Sequence, residues 1–356
     1  MSEIDRQNPL DGSAKSEEIL KNFTLSEREQ AFFDYKGQED KLKFLVNSYY
    51  ASLAGSGADD PIRRQFIPTI DEYTIKTYEL PDPLGEEKYS PLPRLIHRYK
   101  DRVLLLITDS CAMYCRHCFR RSFTGHDDGI VTTEQLKNIA SYLKEHGEVN
   151  EILLSGGDPL TCSDNKINEI LKCIRQVRPE MVIRLATRMP VVFPMRITDE
   201  LADILKNYGP LWLVTQFNHK NELTSRAALS ISKLIDRGIP VLNQSVLLKG
   251  VNDSVEALQD LFQALVRNRV KPYYLFQGDL ASGTSHFRVD LSRGWEIMSE
   301  LRTRISGLAL PAYAVDMPGG GGKIPLTENF FLGKDDNYYY FKNIEGREYT
   351  YPRENK

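Results

Sequence analysis

The sequence contains no apolar run near the roughly 20 residues that a membrane-spanning helix requires. Its first residues, MSEIDRQNPLDGSAK, are polar and lack the hydrophobic region of a secretory signal. A net charge of -3 over 356 residues provides no basic surplus for binding nucleic acid or a lipid surface. With 41% apolar residues the chain can bury a large core, so these absences predict a cytoplasmic enzyme without nucleic-acid or membrane partners.

Cysteine is scarce and unevenly placed. The chain has five cysteines, an odd number, and three of them fall within one eight-residue run. This is a poor disulfide framework and is typical of a reducing compartment. Cys162 and Cys173 lie apart without ligand spacing, so we interpret both as ordinary helix or loop residues.

The crowded run is CAMYCRHC, in which Cys111, Cys115 and Cys118 have the spacing C-x3-C-x2-C. A 4Fe–4S cluster needs four ligands, so three thiolates leave one iron open to a small molecule, which favours catalysis over simple electron transfer. The alternative is a structural zinc site, but such sites usually pair two ligand knuckles. The sequence has no second knuckle of this kind.

From Arg102 onward, short apolar runs alternate with amphipathic stretches. The runs predict six strands, at 103–108, 151–155, 182–187, 211–217, 241–248 and 272–277, with helices near 133–146, 164–177, 198–207, 222–237, 254–269 and 290–305. This order indicates an α/β fold with a parallel sheet, either doubly wound or curled into a barrel, with its site at the carboxyl ends of the strands. A further strand is expected at 312–316.

The flanking regions differ from this repeat. Residues 16–55 look helical, and residues 60–99 are rich in proline and polar residues. The final segment alternates aromatic and charged residues, which suggests a short hairpin. We therefore predict an N-terminal helical or extended region over 1–98, a barrel over 99–310, and a C-terminal strand, lysine loop and tail over 311–356.

Four consecutive glycines precede a lysine in PGGGGK, residues 318–323. A phosphate-binding P-loop does not fit, because its spacing requires glycine at Met317 and a hydroxyl residue at Ile324. Lys323 on a flexible tether could instead form a Schiff base with an aldehyde cofactor such as pyridoxal phosphate (PLP). A flexible surface turn without chemical function is the other interpretation.

Several motifs together resemble the lysine 2,3-aminomutase family of radical S-adenosylmethionine (SAM) enzymes. They are CAMYCRHCFRR, LLSGGDPL, LNQSVLLKGVND, KPYYLFQGDLASGTSHF and VDMPGGGGK, and the similarity extends upstream through DPIRRQFIP and DPLGEEKYSPLPRLIHRYKDRVLLL. It covers roughly residues 40 to 330. The resemblance implies a partial (β/α)6 barrel that holds a 4Fe–4S cluster, SAM and PLP in one cavity.

The resemblance also implies residues for each cofactor. Cys111, Cys115 and Cys118 match the cluster ligands. The turn Ser155, Gly156, Gly157 and Asp158 and, separately, Gln244 match SAM contacts. Without the cysteine triplet, that turn would be an ordinary loop after a strand. Lys323 matches the PLP lysine, and Tyr99 and Arg102 are further candidates for PLP contacts.

Three charged residues carry the implied choice of substrate. Arg120 matches the arginine that binds the substrate carboxylate, a task suited to the two-pronged guanidinium group. Asp279 and Asp316 match the carboxylates that receive the side-chain ammonium group of lysine. Two anions at one end of a pocket favour a long cationic substrate and repel a second carboxylate, which argues against glutamate.

The implied activity is the interconversion of L-lysine and β-lysine, with SAM regenerated and an external flavodoxin or ferredoxin supplying an electron. Alternatives are an aminomutase for another amino acid, the β-lysine-forming enzyme of elongation factor P modification, a radical SAM enzyme that consumes SAM without PLP, and an iron–sulfur redox protein. Ser254 stands where longer relatives of the family have a zinc-binding cysteine, and no cysteine follows Cys173, so the resemblance predicts no zinc site in this chain. A homodimer is possible by analogy.

Overall fold

A computed structural model describes residues 13–36, 42–126, 129–327, 329–343 and 345–353. The central feature is a nine-stranded sheet with its strands in chain order, β1 to β9. Strands β2 to β8 are parallel to their neighbours, whereas β1 and β9 pair antiparallel at the two edges. The strands are β1 Leu95–Tyr99, β2 Arg102–Thr108, β3 Glu151–Gly156, β4 Val182–Ala186, β5 Leu211–Thr215, β6 Val241–Leu247, β7 Lys271–Gln277, β8 Ala312–Met317 and β9 Gly322–Pro325.

The sheet curls into a partial barrel with crossover helices on its outside, and the predicted α/β fold is confirmed. The helices after the N-terminal region are α4 Thr133–Glu145, α5 Asp164–Val177, α6 Met189–Val192, α7 Asp199–Lys206, α8 Ser225–Ile235, α9 Val255–Arg267 and α10 Leu291–Arg304. The six predicted helices correspond to α4, α5 and α7 to α10. The three-region division at 1–98, 99–310 and 311–356 stays a prediction.

Successive side chains of a strand point to opposite faces of the sheet, so one set packs into the core and the other lines the inside of the barrel. On β4, Ile183 and Leu185 are fully buried, while Arg184 and Ala186 line the interior cavity. On β3, Ile152 and Leu154 are likewise buried. The apolar faces of the crossover helices pack against these outward-facing residues, so polar side chains are left for the inside of the barrel.

Each long crossover helix begins at a residue whose side-chain oxygen accepts a hydrogen bond from a backbone N–H group in the first turn. These N-caps are Thr132, Ser163, Thr198, Thr224, Ser254 and Asp290. The hydroxyl group of Ser254 accepts from the N–H group of Ala257 at 3.2 Å. The residue that the resemblance contrasts with a zinc-binding cysteine therefore has a local structural function.

We expect Ser254→Ala to lower the free energy of unfolding by about 1 kcal/mol, because the first turn of α9 loses its cap. Urea denaturation followed by circular dichroism measures this change. The control is Ser141→Ala, since Ser141 is exposed in the middle of α4 and caps nothing there. Equal stability of Ser254→Ala and the wild-type protein would contradict the assignment.

The N-terminal region is less helical than expected. It contains α1 Ser13–Leu20, α2 Glu27–Asp34 and α3 Ser48–Ala51, with non-helical chain between α2 and α3 where residues are described. The carbonyl groups of Leu42 and Lys43 accept hydrogen bonds from the buried guanidinium group of Arg116 at 3.0 and 2.9 Å. These carbonyls are thus used for tertiary contacts and not for a helix.

The C-terminal tail forms a separate antiparallel sheet of three strands, β10 Phe331–Lys334, β11 Tyr338–Lys342 and β12 Glu348–Pro352. The expected hairpin is present as one pair of these strands, and a third strand extends it. Within the described part of the chain, no helix is both long and apolar enough to cross a bilayer.

Candidate active site

A cavity of about 600 Å³ follows the inner face of the curled sheet. This volume is in the range of small-molecule sites. Every site residue predicted from the sequence lies on its wall: Tyr99, Arg102, Cys111, Cys115, Cys118, Arg120, Ser155, Gly156, Gly157, Asp158, Gln244, Asp279, Asp316 and Lys323. Residues separated by more than 200 positions in the chain therefore line the same cavity.

The three cysteines lie on the loop that follows β2 and are half-buried, free thiols. Burial, followed by the charge of Asp158 and of the other two cysteines, raises the pKa of Cys111 well above its ordinary value. Burial and Cys115 also raise the pKa of Cys118. Crowded, half-buried thiols resist ionisation without a compensating cation, and a metal site supplies that cation.

The cysteine loop brings three thiols to one wall of the cavity. Among the described residues, no group of three or more histidine, cysteine, aspartate or glutamate side chains is arranged to hold one metal ion. Three thiols nevertheless face the same cavity. Such a donor set suits a 4Fe–4S cluster, which spreads its ligands over several irons.

The carboxyl end of β3 and the turn after it contact the backbone that leads from β2 into the cysteine loop. Gly156 has φ +128°, and a Cβ atom there would lie 2.3 Å from the carbonyl oxygen of Thr108. A Cβ atom on Gly157 would lie 2.3 Å from the carbonyl oxygen of Ser110, while its N–H group donates to Thr108 at 2.6 Å. Both glycines are needed for this close backbone approach.

We expect Gly157→Ala to destabilise the protein by about 1–3 kcal/mol, because the added methyl group displaces the cysteine loop. Iron bound per chain after anaerobic reconstitution should fall as well. Gly147→Ala is the matched control, since a Cβ atom at Gly147 would meet nothing within 4 Å. Wild-type iron content and stability in Gly157→Ala would contradict this packing argument.

Asp158 is buried, and its carboxylate is already engaged. One oxygen accepts from the Thr187 hydroxyl group at 2.7 Å and from the Leu160 N–H group at 3.0 Å, and the other accepts from the Arg188 N–H group at 2.7 Å. Burial nevertheless raises its pKa to about 6. Its side chain therefore connects the turn after β3 to the residues after β4.

Lys323 is the second residue of β9, directly opposite Asp316 in the antiparallel pair of β8 and β9. Its Nζ atom lies 2.7 Å from an oxygen of Asp316 and 3.8 Å from the ring centre of Phe276. Burial lowers the pKa of Lys323, and the neighbouring carboxylates only partly offset this effect. A lysine with a lowered pKa is the more nucleophilic amine.

The glycine run before Lys323 is a turn between two paired strands, so the lysine does not hang on a loose tether as the sequence suggested. Gly319, Gly320 and Gly322 have φ values of +63°, +90° and +94°. These left-handed conformations reverse the chain within a few residues. Lys323 consequently has a defined position beside Asp316.

Beside Lys323 lies an arginine that sequence reasoning missed. The Nη2 atom of Arg98 is buried and has no hydrogen-bond partner among the residues described. It lies 3.5 Å from the position that a Cβ atom on Gly322 would take. The available signal was the cationic and aromatic run HRYKDR at 97–102.

The predicted residues Tyr99 and Arg102 lie in the same area. The Tyr99 hydroxyl group accepts from the Lys323 N–H group at 3.3 Å, and the Arg102 guanidinium carbon lies 3.9 Å from the centre of the Tyr99 ring. An unpaired buried donor among cationic side chains fits an anionic group such as a phosphate.

Arg120 already has a carboxylate partner. Its Nε and Nη2 atoms donate to the two oxygens of Glu86 at 2.9 and 2.6 Å. Its Nη1 atom donates to the Ser155 hydroxyl group at 3.3 Å. Glu86 comes from the 3₁₀ turn Glu86–Tyr89, and no spacing in the sequence indicated this long-range pair.

Asp279 lies after β7 in the same cavity as Asp316. Burial, and secondly the negative charge of Asp316, raise the pKa of Asp279 to about 7. The positive charges of Lys323 and Arg120 act in the opposite direction. Two neighbouring carboxylates in one cavity thus compete for the available cations.

Comparisons with known proteins identify the family to which the chain is similar. Residues 105–262 match the Radical SAM superfamily and residues 298–356 match the family described as Lysine-2,3-aminomutase. A protein of Acetoanaerobium sticklandii named L-lysine 2,3-aminomutase is 44% identical over 336 residues, covering 94% of this chain and 81% of that protein. Its Fusobacterium nucleatum counterpart is 45% identical over 313 residues, covering 88% and 74%. A Clostridioides difficile protein named glutamate 2,3-aminomutase is 37% identical over 330 residues, covering 92% and 78%. The chain therefore belongs to the lysine 2,3-aminomutase family of the radical SAM superfamily.

Proposed function

We propose that this protein interconverts L-lysine and β-lysine by moving the amino group between C2 and C3. The observation that carries the proposal is the placement of Asp279 and Asp316 in one cavity with Arg120, Lys323 and the cysteine loop. A cation and two anions at separate positions suit a zwitterionic amino acid with a cationic side chain. Family membership alone does not select lysine, because one relative is named for glutamate.

The carboxylate end of the substrate is assigned to Arg120. Glu86 occupies the Nε and Nη2 edge of the guanidinium group, which sets the orientation of its plane. The Nη1 atom makes only the longer 3.3 Å contact with Ser155, so it is the donor most available to a second carboxylate. Glu86 is then a positioning residue that acts through Arg120.

The ammonium end of the substrate is assigned to Asp279 and Asp316. In this structure the Lys323 ammonium group sits 2.7 Å from Asp316, where a substrate ammonium group would otherwise bind. With PLP held by Lys323, this internal cation would no longer neutralise Asp316. The pair of carboxylates would then be available to the side chain of lysine.

When bound, the 4Fe–4S cluster, SAM and PLP supply the radical and the amino-group chemistry of the reaction. The residues that would hold them are Cys111, Cys115 and Cys118 for the cluster, Ser155, Gly156, Gly157, Asp158 and Gln244 for SAM, and Lys323, Tyr99, Arg102 and Arg98 for PLP. Apolar side chains, including Leu153, Val214 and Val246, also line this cavity and favour the exclusion of water.

The remaining partners are proposed on chemical grounds. Reductive activation requires one electron from outside the protein, and we assign it to a flavodoxin or ferredoxin. A homodimer is proposed by analogy with the family. The redox-protein alternative would leave Arg120, Asp279, Asp316 and Lys323 in one cavity without a shared purpose.

We expect kcat/KM for lysine to rise at least about tenfold between pH 6 and pH 8, because the pKa of Asp279 is raised to about 7 and its protonated form cannot pair with an ammonium group. Loss of the Lys323 charge on PLP binding would raise this pKa further, which makes the rise larger. In Asp316→Asn the ascending limb should shift to lower pH, because the charge that raises the pKa of Asp279 is gone. An identical limb in both proteins would contradict the assignment.

The deciding experiment is anaerobic. Protein reconstituted with iron, sulfide and PLP is given SAM and dithionite, and L-lysine, L-glutamate and L-arginine are offered in parallel. β-Amino acids are then measured by mass spectrometry after derivatisation. β-Lysine formation with the other two substrates inactive supports the proposal. 5′-Deoxyadenosine without any β-amino acid would overturn the substrate while leaving the radical SAM family assignment in place.

A further inference from the structure

Arg188 reaches the cysteine loop from the residues that follow β4. Its side chain is 91% buried, and its Nη1 atom donates to the sulfur atom of Cys115 at 2.8 Å. The donor–sulfur distance is short for a contact to sulfur, and the group carries a full positive charge at every physiological pH. No step of the proposed reaction uses this residue.

The other side of the guanidinium group is held by a buried polar network. The Nη2 atom donates to Gln65 at 2.6 Å, to Glu222 at 2.7 Å and to the Tyr50 hydroxyl oxygen at 3.3 Å. The Nε atom donates to the carbonyl oxygen of Gln216 at 3.1 Å. These contacts fix the plane of the group, so Nη1 has little freedom to turn away from Cys115.

Glu222 balances the charge of Arg188, but it contacts Nη2 and not Nη1, the atom that donates to Cys115. Its Oε1 atom accepts from Arg188 and from Tyr50, and its Oε2 atom accepts from the N–H groups of Asn218 and His219 at 2.6 and 2.9 Å. Cys115 therefore faces the positive end of a neutral pair. In a buried environment that orientation has a large electrostatic effect.

We propose that Arg188 raises the reduction potential of the 4Fe–4S cluster by donating an N–H group to the sulfur atom of Cys115. Reduction adds one electron to the cluster and increases the negative charge on its sulfurs, which strengthens a hydrogen bond from a cation. The external flavodoxin or ferredoxin supplies that electron. The inference rests on the proposed role of Cys111, Cys115 and Cys118, and Arg188 is a positioning residue because it acts through Cys115.

The test is a potentiometric titration of the reconstituted protein without SAM or lysine, followed by electron paramagnetic resonance of the reduced cluster. Arg188→Met removes the donor, Arg188→Lys keeps the charge without the planar fork, and Glu222→Gln removes the balancing anion. Arg267→Met is the control for a change in net charge, because Arg267 is exposed on α9. Iron and sulfide per chain are measured for every variant.

We expect Arg188→Met to keep its iron and to have about a tenfold lower ratio of reduced to oxidised cluster at the wild-type midpoint, which is a shift of about 59 mV for one electron. Glu222→Gln should shift the midpoint in the opposite direction, Arg188→Lys should lie between Arg188→Met and the wild type, and Arg267→Met should match the wild type.

An unchanged midpoint in an iron-replete Arg188→Met protein would overturn the proposal. If Arg188→Met loses its iron, the midpoint potentials of Glu222→Gln and Arg188→Lys test the proposal instead, because both variants keep a cation beside Cys115. Wild-type midpoints in those two variants would then make Arg188 a structural residue only. Failure of the wild-type protein to assemble any cluster would instead overturn the proposed function.

Discussion

Replacing Lys323 with alanine should reduce β-lysine formation at least about 10³-fold, because the cavity loses the amine that would hold PLP. PLP retained per chain after gel filtration should fall together with activity. In the wild-type protein, borohydride treatment should fix PLP to the peptide that contains Lys323, which mass spectrometry detects directly. Cluster content should be unchanged, since Lys323 contacts Asp316, Phe276 and Tyr274 and not the cysteine loop.

Lys88→Ala is the matched control for this variant. Lys88 is an exposed lysine whose Nζ atom lies 3.4 Å from the carbonyl oxygen of Gly319 in the adjacent turn, so its loss tests the local charge without touching the proposed PLP amine. It should keep PLP and activity. Wild-type turnover in Lys323→Ala, or borohydride labelling of another lysine, would show that the PLP assignment is wrong.

Asp316→Asn should lower kcat/KM for lysine by about 30-fold or more. Truncating one partner of a buried charge pair costs about 2 kcal/mol or more, and each 1.36 kcal/mol is a factor of ten. SAM binding and cluster content should stay at wild-type levels, because the side chain of Asp316 faces Lys323 across the β8 and β9 pair. Steady-state kinetics with iron and PLP measured on the same preparation would separate a substrate effect from loss of a cofactor.

The control for this variant is Asp260→Asn, an exposed carboxylate that pairs with Lys220 on the surface. It should leave lysine kinetics unchanged. If Asp316→Asn has wild-type kcat/KM for lysine, the two-carboxylate argument fails, and with it the reason for preferring lysine to other amino acids. If its loss of activity follows loss of PLP, Asp316 supports Lys323 and not the substrate.

Much of the architecture could be predicted because local patterns determine it. Alternating apolar runs and amphipathic stretches predicted strands β2 to β8 and six crossover helices, since period-two and period-3.6 burial are properties of short segments. The N-terminal region was predicted less well, because Leu42 and Lys43 use their carbonyl groups for Arg116, which lies more than 70 residues away. Local secondary-structure propensity carries no information about such a long-range contact.

By itself, the sequence determined the cysteine spacing, the glycine run before Lys323 and the two acidic positions, because each is a motif within a few residues. Only the tertiary structure decided which groups meet: Glu86 with Arg120, Lys323 with Asp316, and Arg188 with Cys115. These pairs form because the curled sheet brings distant loops into one cavity, where each buried charge must find a partner. Which charges can pair depends on their distance and burial in the folded chain, and neither can be read from the order of the residues.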